Sequence, residues 1–332
     1  MIDKTQRQLM NVEALNQAMA DAMEADPKVL ILGEDVADPE EGGVCGVTKG
    51  LSTRFGNHRV RSTPISEQAI IGAAIGASLV GYRPVAEIML MNFSAVAMDM
   101  IVNHAAKLRF MSGGQTHVPI TIRMMTGTGF ASGGQHSDYL ETWFAHTPGL
   151  KVVAPWDAAD CYGLLRACID DPDPCIFIEN GPSYWSKSSV EGNLEPIPLG
   201  KAAVVRKGSD ITIVSYSRMV TECMAVAQTL ANEGISVEVI NLRTIQPWDR
   251  ETVINSVAKT GRLAVVHEAV KQFGVGAEIS AVVQETLFGK LKGPVLRFGG
   301  AFSAVPYSRP LEAAYPPGQA QILEGIRHAL AG

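Results

Sequence analysis

Short apolar runs alternate along the chain with segments whose apolar residues recur every three or four positions. Val12 to Asp26 has that spacing, and Val29 to Leu32 is an unbroken apolar run ending at Gly33-Glu34-Asp35. The first pattern predicts a helix with one buried face, and the second predicts a strand buried on both faces. Because the alternation repeats, the sequence predicts an α/β fold with mostly parallel sheets.

The same patterns predict the remaining elements. The predicted helices are Ser66 to Val80, Ser94 to Phe110, Ala158 to Ile169, Val220 to Glu233, Arg250 to Lys259 and Ala277 to Phe288. The predicted strands are Val85 to Leu90, Ile120 to Ile122, Lys151 to Val153, Cys175 to Ile178, Ile211 to Ser215, Val237 to Ile240, Leu263 to Val266 and Val295 to Phe298.

A polar segment divides these elements into two groups. Residues 182–200 include Pro196 and Pro198 and lack periodicity, which is typical of a linker. We therefore predict two domains, residues 1–181 and 201–332, each a mostly parallel sheet with helices on both faces. Ligands of such sheets bind outside the carboxyl ends of the strands. The loops there are Gly33-Glu34-Asp35, Met89 to Phe93, Met124 to His136 and His267-Glu268.

Composition excludes several classes of protein. A formal charge of -6 argues against a nucleic-acid binder, because the phosphate backbone requires a basic face. The uncharged run from Ala69 to Tyr82 is too short to span a bilayer, and the first residues lack the apolar core of a signal peptide. Five cysteines without a CxxC pair indicate neither a disulfide framework nor a zinc site. The expected location is the cytoplasm or an organelle matrix.

Common nucleotide and hydrolase motifs are absent from the sequence. It has no P-loop, HExxH or GxSxG motif. Gly127-Thr-Gly129 and Gly274-Val-Gly276 follow predicted strands, but neither completes the GxGxxG pattern of nicotinamide nucleotide sites. A stand-alone nicotinamide enzyme is therefore disfavoured.

Three stretches together carry a family resemblance. They are Gly33 to Val36 with Gly42 to Leu51, Thr63 to Gln68 with Arg83 to Glu87, and Gly133 to Ser137 with Phe144 to Val152. In this order and spacing they resemble the β subunits of thiamine-diphosphate-dependent 2-oxo acid dehydrogenases and acetoin dehydrogenases. The resemblance continues through Leu242-Arg243-Thr244 and His267-Glu268-Ala269, and so covers nearly the whole chain.

The resemblance implies an architecture and partners. The first domain would be a transketolase-like pyrimidine-binding domain, and the second a transketolase C-terminal-like domain. A separate α subunit would hold Mg²⁺ and the diphosphate of the cofactor, since the sequence lacks the GDG motif that does this. The expected assembly is an α2β2 heterotetramer that serves a lipoylated acyltransferase core protein.

Glu67 matches the family carboxylate that acts on the aminopyrimidine ring of thiamine diphosphate. Alternatively, Glu67 interacts with the helix dipole in a first turn capped by Ser66. The resemblance also implies that Ile65, Met89 and Phe93 form the wall around that ring, although an apolar core would use the same residue types.

His136 ends a loop rich in glycine and serine, which can bring a side chain close to a substrate. The resemblance implies that His136 faces the active site and either handles a proton or steers the acyl group to the lipoyl dithiolane. His146 is a weaker candidate, with anchoring of the turn before Pro148 as the alternative, and His267 follows a predicted strand, where a structural role is the alternative.

A structural K⁺ is also implied by the resemblance. Asp171-Pro172-Asp173-Pro174 by itself predicts a turn with solvated carboxylates. In the family this turn donates oxygens to K⁺, and Asp173 stands where asparagine is commoner. The matching positions are Ile120, Cys168, Asp171 and Asp173, the first two through their backbone carbonyls.

The leading functional hypothesis is oxidative decarboxylation of pyruvate, with acetyl transfer to a lipoyl domain. Acetoin cleavage is the nearest alternative, followed by a branched-chain 2-oxo acid substrate. A subunit that only supports assembly is a hypothesis of another class.

Overall fold

The computed structural model describes residues 7–331 and divides into two compact units. The first unit extends to Thr126 and includes Trp143–Leu199, whereas the second contains Gly127–Thr142 and the residues from Gly200 onward. The loop that carries His136 therefore packs with the second unit. The predicted domain limits place that loop in the first domain, and they stay a prediction.

Strands and helices follow one another through both units. The strands are β1 (Arg7–Met10), β2 (Val29–Gly33), β3 (Val60–Ser62), β4 (Arg83–Leu90), β5 (Thr121–Thr126), β6 (Lys151–Val153), β7 (Cys175–Asn180), β8 (Lys187–Val190), β9 (Ala203–Arg206), β10 (Ile211–Ser215), β11 (Val237–Asn241), β12 (Thr244–Gln246), β13 (Leu263–Val270) and β14 (Leu296–Gly300). The α-helices are α1 (Asn11–Ala25), α2 (Leu51–Phe55), α3 (Glu67–Leu79), α4 (Leu108–Met111), α5 (Gly134–Ser137), α6 (Glu141–Ala145), α7 (Ala158–Asp170), α8 (Met219–Ala231), α9 (Arg250–Thr260), α10 (Val275–Leu287), α11 (Arg309–Ala313) and α12 (Gln319–Ala331).

In the first unit a parallel sheet has the strand order β6-β7-β5-β4-β2-β3. Helices α1 and α7 contribute fully buried apolar side chains to its core, including Leu15, Met19, Leu164 and Leu165. In the second unit the order is β14-β13-β10-β11-β9, and β9 alone runs antiparallel to its neighbour. The prediction of an α/β fold with mostly parallel sheets is confirmed.

The predicted long helix from Ser94 to Phe110 is wrong. The chain forms a 3₁₀ turn at Met91–Ala95, a π-helical turn at Met100–Ala105 and then the short helix α4. Ala106 N donates to the Ile101 carbonyl, five residues back, at 3.0 Å. Apolar spacing alone does not distinguish these bonding patterns, because all of them return a side chain to one face within about four residues.

The predicted linker contains a strand. Within residues 182–200, β8 pairs antiparallel with β1, from Arg7 opposite Val190 to Met10 opposite Lys187. Both strands are four residues long; β1 has two apolar residues and β8 has one. Backbone hydrogen bonds between the two strands stabilise them. Neither strand has the unbroken apolar run from which the other strands were predicted.

Candidate active site

Glu67 is the first residue of α3 and is 7% exposed. Ser66 precedes it at the N-cap position but accepts no side-chain capping bond. The alternative is confirmed in position, since Ser66 is the N-cap and Glu67 lies in the first turn, but the cap is made without a side-chain bond. The helix dipole stabilises a negative charge in the first turn. Glu67 differs from the usual first-turn carboxylate, however, because it is buried.

Glu34 is a second buried carboxyl group, and it follows β2 at the carboxyl edge of the same sheet. It is 7% exposed, and its Oε1 atom has no hydrogen-bond partner among the described residues. Burial raises the pKa of Glu34, as do the nearby negative charges of Glu67, Asp35 and Glu87. The sequence marked Gly33-Glu34-Asp35 as a loop at a strand end but did not identify Glu34 as a partner of Glu67.

Of the three predicted wall residues, two are partly buried and one is exposed. Met89 is half-buried at an irregularity of β4, where Ile88 pairs with Met124 and Leu90 with Met125. Such a bulge redirects a side chain at the edge of a site. Phe93 is half-buried in the 3₁₀ turn after β4, whereas Ile65 is 83% exposed.

Beside Met89 lies a buried ion-pair cluster that the sequence did not predict. Arg123 Nε is 2.6 Å from Glu179 Oε1, and Arg123 Nη1 is 2.5 Å from Glu87 Oε2. The Tyr184 hydroxyl donates to Glu179 Oε2 at 2.5 Å. Burial raises the pKa of Glu87 against the attraction of Arg123. Met89 and members of this cluster line the same small cavity together with Gly43 and Cys45.

His136 lies in the short helix α5, in the second unit, and is half-buried. Gly133 directly precedes α5 with a φ of 74°. This φ favours glycine, and a Cβ atom at Gly133 would also lie 2.3 Å from Tyr307 Cζ. The structure thus places His136 in a tightly packed loop and places Ile65, Glu67, Met89 and Phe93 in the other unit.

The two other histidines considered from sequence differ in environment. His146 is exposed. His267 is fully buried, stacks on Tyr216 at 6.1 Å and has Nδ1 3.0 Å from the Ala269 carbonyl oxygen. Burial lowers the pKa of His267 to about 4, which keeps it neutral. Cβ atoms on Gly274 and Gly276 would lie 3.0 and 3.1 Å from His267 Nε2, so these glycines make room for the ring.

Side-chain cations contact both carboxylates among the predicted K⁺ ligands. Lys151 Nζ is 2.6 Å from each carboxylate oxygen of Asp171, and Arg109 Nη1 is 2.6 Å from each of Asp173. The Ile120 carbonyl accepts from Cys175 N at 3.0 Å, and the Cys168 carbonyl accepts from Asp171 N at 3.2 Å. Two positive charges therefore lie beside the two carboxylates, and the K⁺ site stays a prediction.

Comparison with known protein families covers most of the chain. Residues 7–185 match the transketolase pyrimidine-binding domain, and residues 200–322 match the transketolase C-terminal domain. The chain is 44% identical to pyruvate dehydrogenase E1 component subunit beta-2, mitochondrial, of Oryza sativa, over 96% of this chain and 85% of that protein. It is also 44% identical to acetoin:2,6-dichlorophenolindophenol oxidoreductase subunit beta of Cupriavidus necator, over 96% of both.

A comparison of folds agrees. A solved structure described as a split gene transketolase, inactive beta4 tetramer, superposes with a TM-score of 0.78 over 97% of this chain and 98% of that chain, at 22% identity. This similarity supports the fold alone. No helix in the described part of the chain combines the length and apolarity needed to cross a bilayer.

Proposed function

Because this chain belongs to the transketolase-like β subunits of thiamine-diphosphate-dependent 2-oxo acid and acetoin dehydrogenases, we propose that it supplies part of the active site of a pyruvate dehydrogenase. The reaction is oxidative decarboxylation of pyruvate followed by acetyl transfer to a lipoyl domain. The observation that carries the proposal is the buried carboxyl pair Glu67 and Glu34 at the carboxyl edge of the first sheet.

This edge fits the aminopyrimidine ring of thiamine diphosphate. The orphaned Oε1 atom of Glu34 calls for a hydrogen-bond donor, because an unpaired buried polar group costs free energy. We assign Glu67 to hold a proton at a ring nitrogen, and Phe93, Met89 and Ile65 to the wall around the ring. Bound thiamine diphosphate supplies a carbon nucleophile for ketone substrates.

The rest of the cofactor site is assigned to a partner subunit. We propose that an α subunit binds Mg²⁺ and the diphosphate, since this chain has no GDG sequence. An α2β2 heterotetramer then contains two such divided sites. The cytoplasm or an organelle matrix is the proposed location, in keeping with five free cysteines.

His136 is assigned to the second half of the reaction. His136 is half-buried, and an imidazole can act as a general acid or base and can orient an acyl group. In this proposal His136 directs the acetyl group to the dithiolane of a lipoylated acyltransferase core protein. Its loop belongs to the second unit, so both units of the chain take part in the reaction.

K⁺ has no part in this proposal. Lys151 and Arg109 neutralise Asp171 and Asp173 at 2.6 Å and hold the turn before β7. We propose that these two side chains replace the monovalent cation expected from the family. The structural stability of the turn then depends on ion pairs within the chain.

Acetoin cleavage is a second candidate function, favoured by the 44% identity to the acetoin-oxidising relative. Turnover of the assembled enzyme with pyruvate, acetoin and a branched-chain 2-oxo acid discriminates between them. The proposal predicts the highest kcat/KM with pyruvate. A higher value with acetoin would transfer the assignment to that substrate without changing the roles of Glu67 and Glu34.

A subunit that only supports assembly would not need a buried carboxyl pair. Glu67→Gln in the assembled enzyme tests this alternative, because glutamine keeps the shape of the side chain but cannot transfer the proton. Full turnover of that variant would favour the assembly role.

A further inference from the structure

Two buried carboxylates of the second unit bind backbone amides of residues 127–142, hereafter the His136 loop. Thr128 donates to Glu268 Oε1 through both its backbone N and its Oγ1, each at 2.6 Å. Gly129 N donates to Glu312 Oε1 at 2.8 Å, and Ala131 N lies 3.0 Å from both Glu312 oxygens. Glu268 and Glu312 are each 3% exposed.

These bonds hold a backbone conformation that the chain would not adopt unaided. Ala131 has a φ of 57°, in a region that residues other than glycine rarely occupy. Gly129, with a φ of 135°, precedes it by two residues. Unfavourable angles of this kind persist only where surrounding contacts determine them. The Glu312 carboxylate, bound to the amides of both residues, is such a contact.

Further contacts hold the loop on both sides of His136. Arg218 Nη2 lies 3.3 Å from Glu268 Oε2 and 3.2 Å from Thr128 Oγ1, which orients the first anchor. At the far end, the Tyr216 hydroxyl donates to Glu141 Oε1 at 2.8 Å. His136 therefore has an anchored segment before it and another after it.

Burying a carboxylate is costly, and amides of a connecting loop can bond to water instead. Phe130 and Gly129 are themselves exposed, so water could reach this part of the loop. Two buried carboxylates nevertheless bind the amides of Thr128, Gly129 and Ala131. This expense indicates that the loop must be held in one position and does more than connect two elements.

We propose that Glu312 and Glu268 are positioning residues that fix the His136 loop for acyl transfer. The inference rests on the proposed role of His136. Neither carboxylate touches the substrate in this account. Each acts through the backbone of residues 128–131, and loss of either releases the loop and misplaces the imidazole.

The test uses Glu312→Gln in the enzyme assembled with its α partner. Glutamine keeps the size of the side chain but presents an NH₂ group to one of the amides, so part of the anchor is lost. Acetyl transfer to a purified lipoyl domain should fall about 10-fold to 100-fold, the scale of a displaced catalytic group. Dye reduction by 2,6-dichlorophenolindophenol with pyruvate, which bypasses the lipoyl domain, should change less than about twofold, with KM for pyruvate unchanged. Glu324→Gln, at an exposed position of α12, is the matched control.

A second comparison separates positioning from a general structural effect. In a His136→Ala background, Glu312→Gln should add little further loss, because both changes remove the same contribution. Equal loss of transfer and dye reduction, or losses that multiply in the double variant, would overturn the inference. If His136→Ala alone leaves transfer unchanged, the proposed role of His136 is wrong and the inference fails with it. A loss in His136→Ala without one in Glu312→Gln rejects the positioning role alone.

Discussion

Glu67 and Glu34 are both buried carboxyl groups, each 7% exposed, and they are the basis of the proposed chemistry. In the assembled enzyme, Glu67→Gln should lower kcat about 10²-fold to 10⁴-fold, the usual contribution of a positioned proton-transfer group. Glu251→Gln is the matched control, since Glu251 also lies in a helix first turn but is exposed. Equal effects of the two substitutions would leave only a helix-dipole role for Glu67.

Because of the buried Glu141, the free energy of unfolding should depend on pH. Burial raises the pKa of Glu141 to about 7 from an ordinary value of 4.5, against the hydrogen bond from Tyr216. The folded chain therefore binds this proton more tightly than the unfolded chain, and the contribution to stability is lost as pH rises from about 4.5 through about 7. The difference corresponds to about 3 kcal/mol at most.

Glu141→Gln should remove this dependence. Relative to the variant, the wild-type chain should lose thermal stability between pH 5 and pH 8. His267 contributes with the opposite sign, because its pKa is lowered to about 4, but it is present in both proteins and cancels in the comparison. The measurement is the melting temperature of both chains across that pH range, with Glu324→Gln as an exposed control. Parallel curves for wild type and Glu141→Gln would contradict the prediction.

At the scale of elements, sequence patterns identified the long helices and the buried strands because burial itself creates those patterns. Helix α7, for example, is predicted as Ala158 to Ile169 and observed as Ala158–Asp170. The patterns did not identify β1 and β8, which depend on backbone pairing between residues far apart in the chain.

The same limit applies to the functional loops. A family resemblance selected Glu67 and His136, and the apolar pattern of the chain had no part in that choice. The anchors of the His136 loop were missed because Glu268 and Glu312 lie 140 and 183 residues from the amides that they bind. Contacts at such separations leave no local signal in a single sequence.

The turn before β7 yields a prediction about ions. Because Lys151 and Arg109 already contact its two carboxylates, replacing NaCl with KCl at equal concentration should leave the melting temperature unchanged within about 1 °C. Choline chloride serves as the control for ionic strength. Stabilisation by several degrees in KCl alone would show that a K⁺ site forms after all.

At the scale of the whole molecule, exposed apolar residues on helix α3 indicate a surface that binds a partner. Beyond Gln68, helix α3 is almost entirely apolar, yet Ala69, Ala73, Gly76 and Leu79 are exposed. Exposed apolar surface of this kind marks interaction sites. Binding of a hydrophobic fluorescent dye to the isolated chain should therefore fall when the α partner is added. Unchanged dye binding in a complex that has formed would place the interface elsewhere.

The central claim is that this chain holds only part of the thiamine diphosphate site. The most direct test is calorimetric titration of thiamine diphosphate and Mg²⁺ into the purified chain, first alone and then with its α partner. We expect no measurable binding by the chain alone and clear binding by the mixture. Tight binding by the chain alone would reveal a complete diphosphate site within it and would contradict the divided active site.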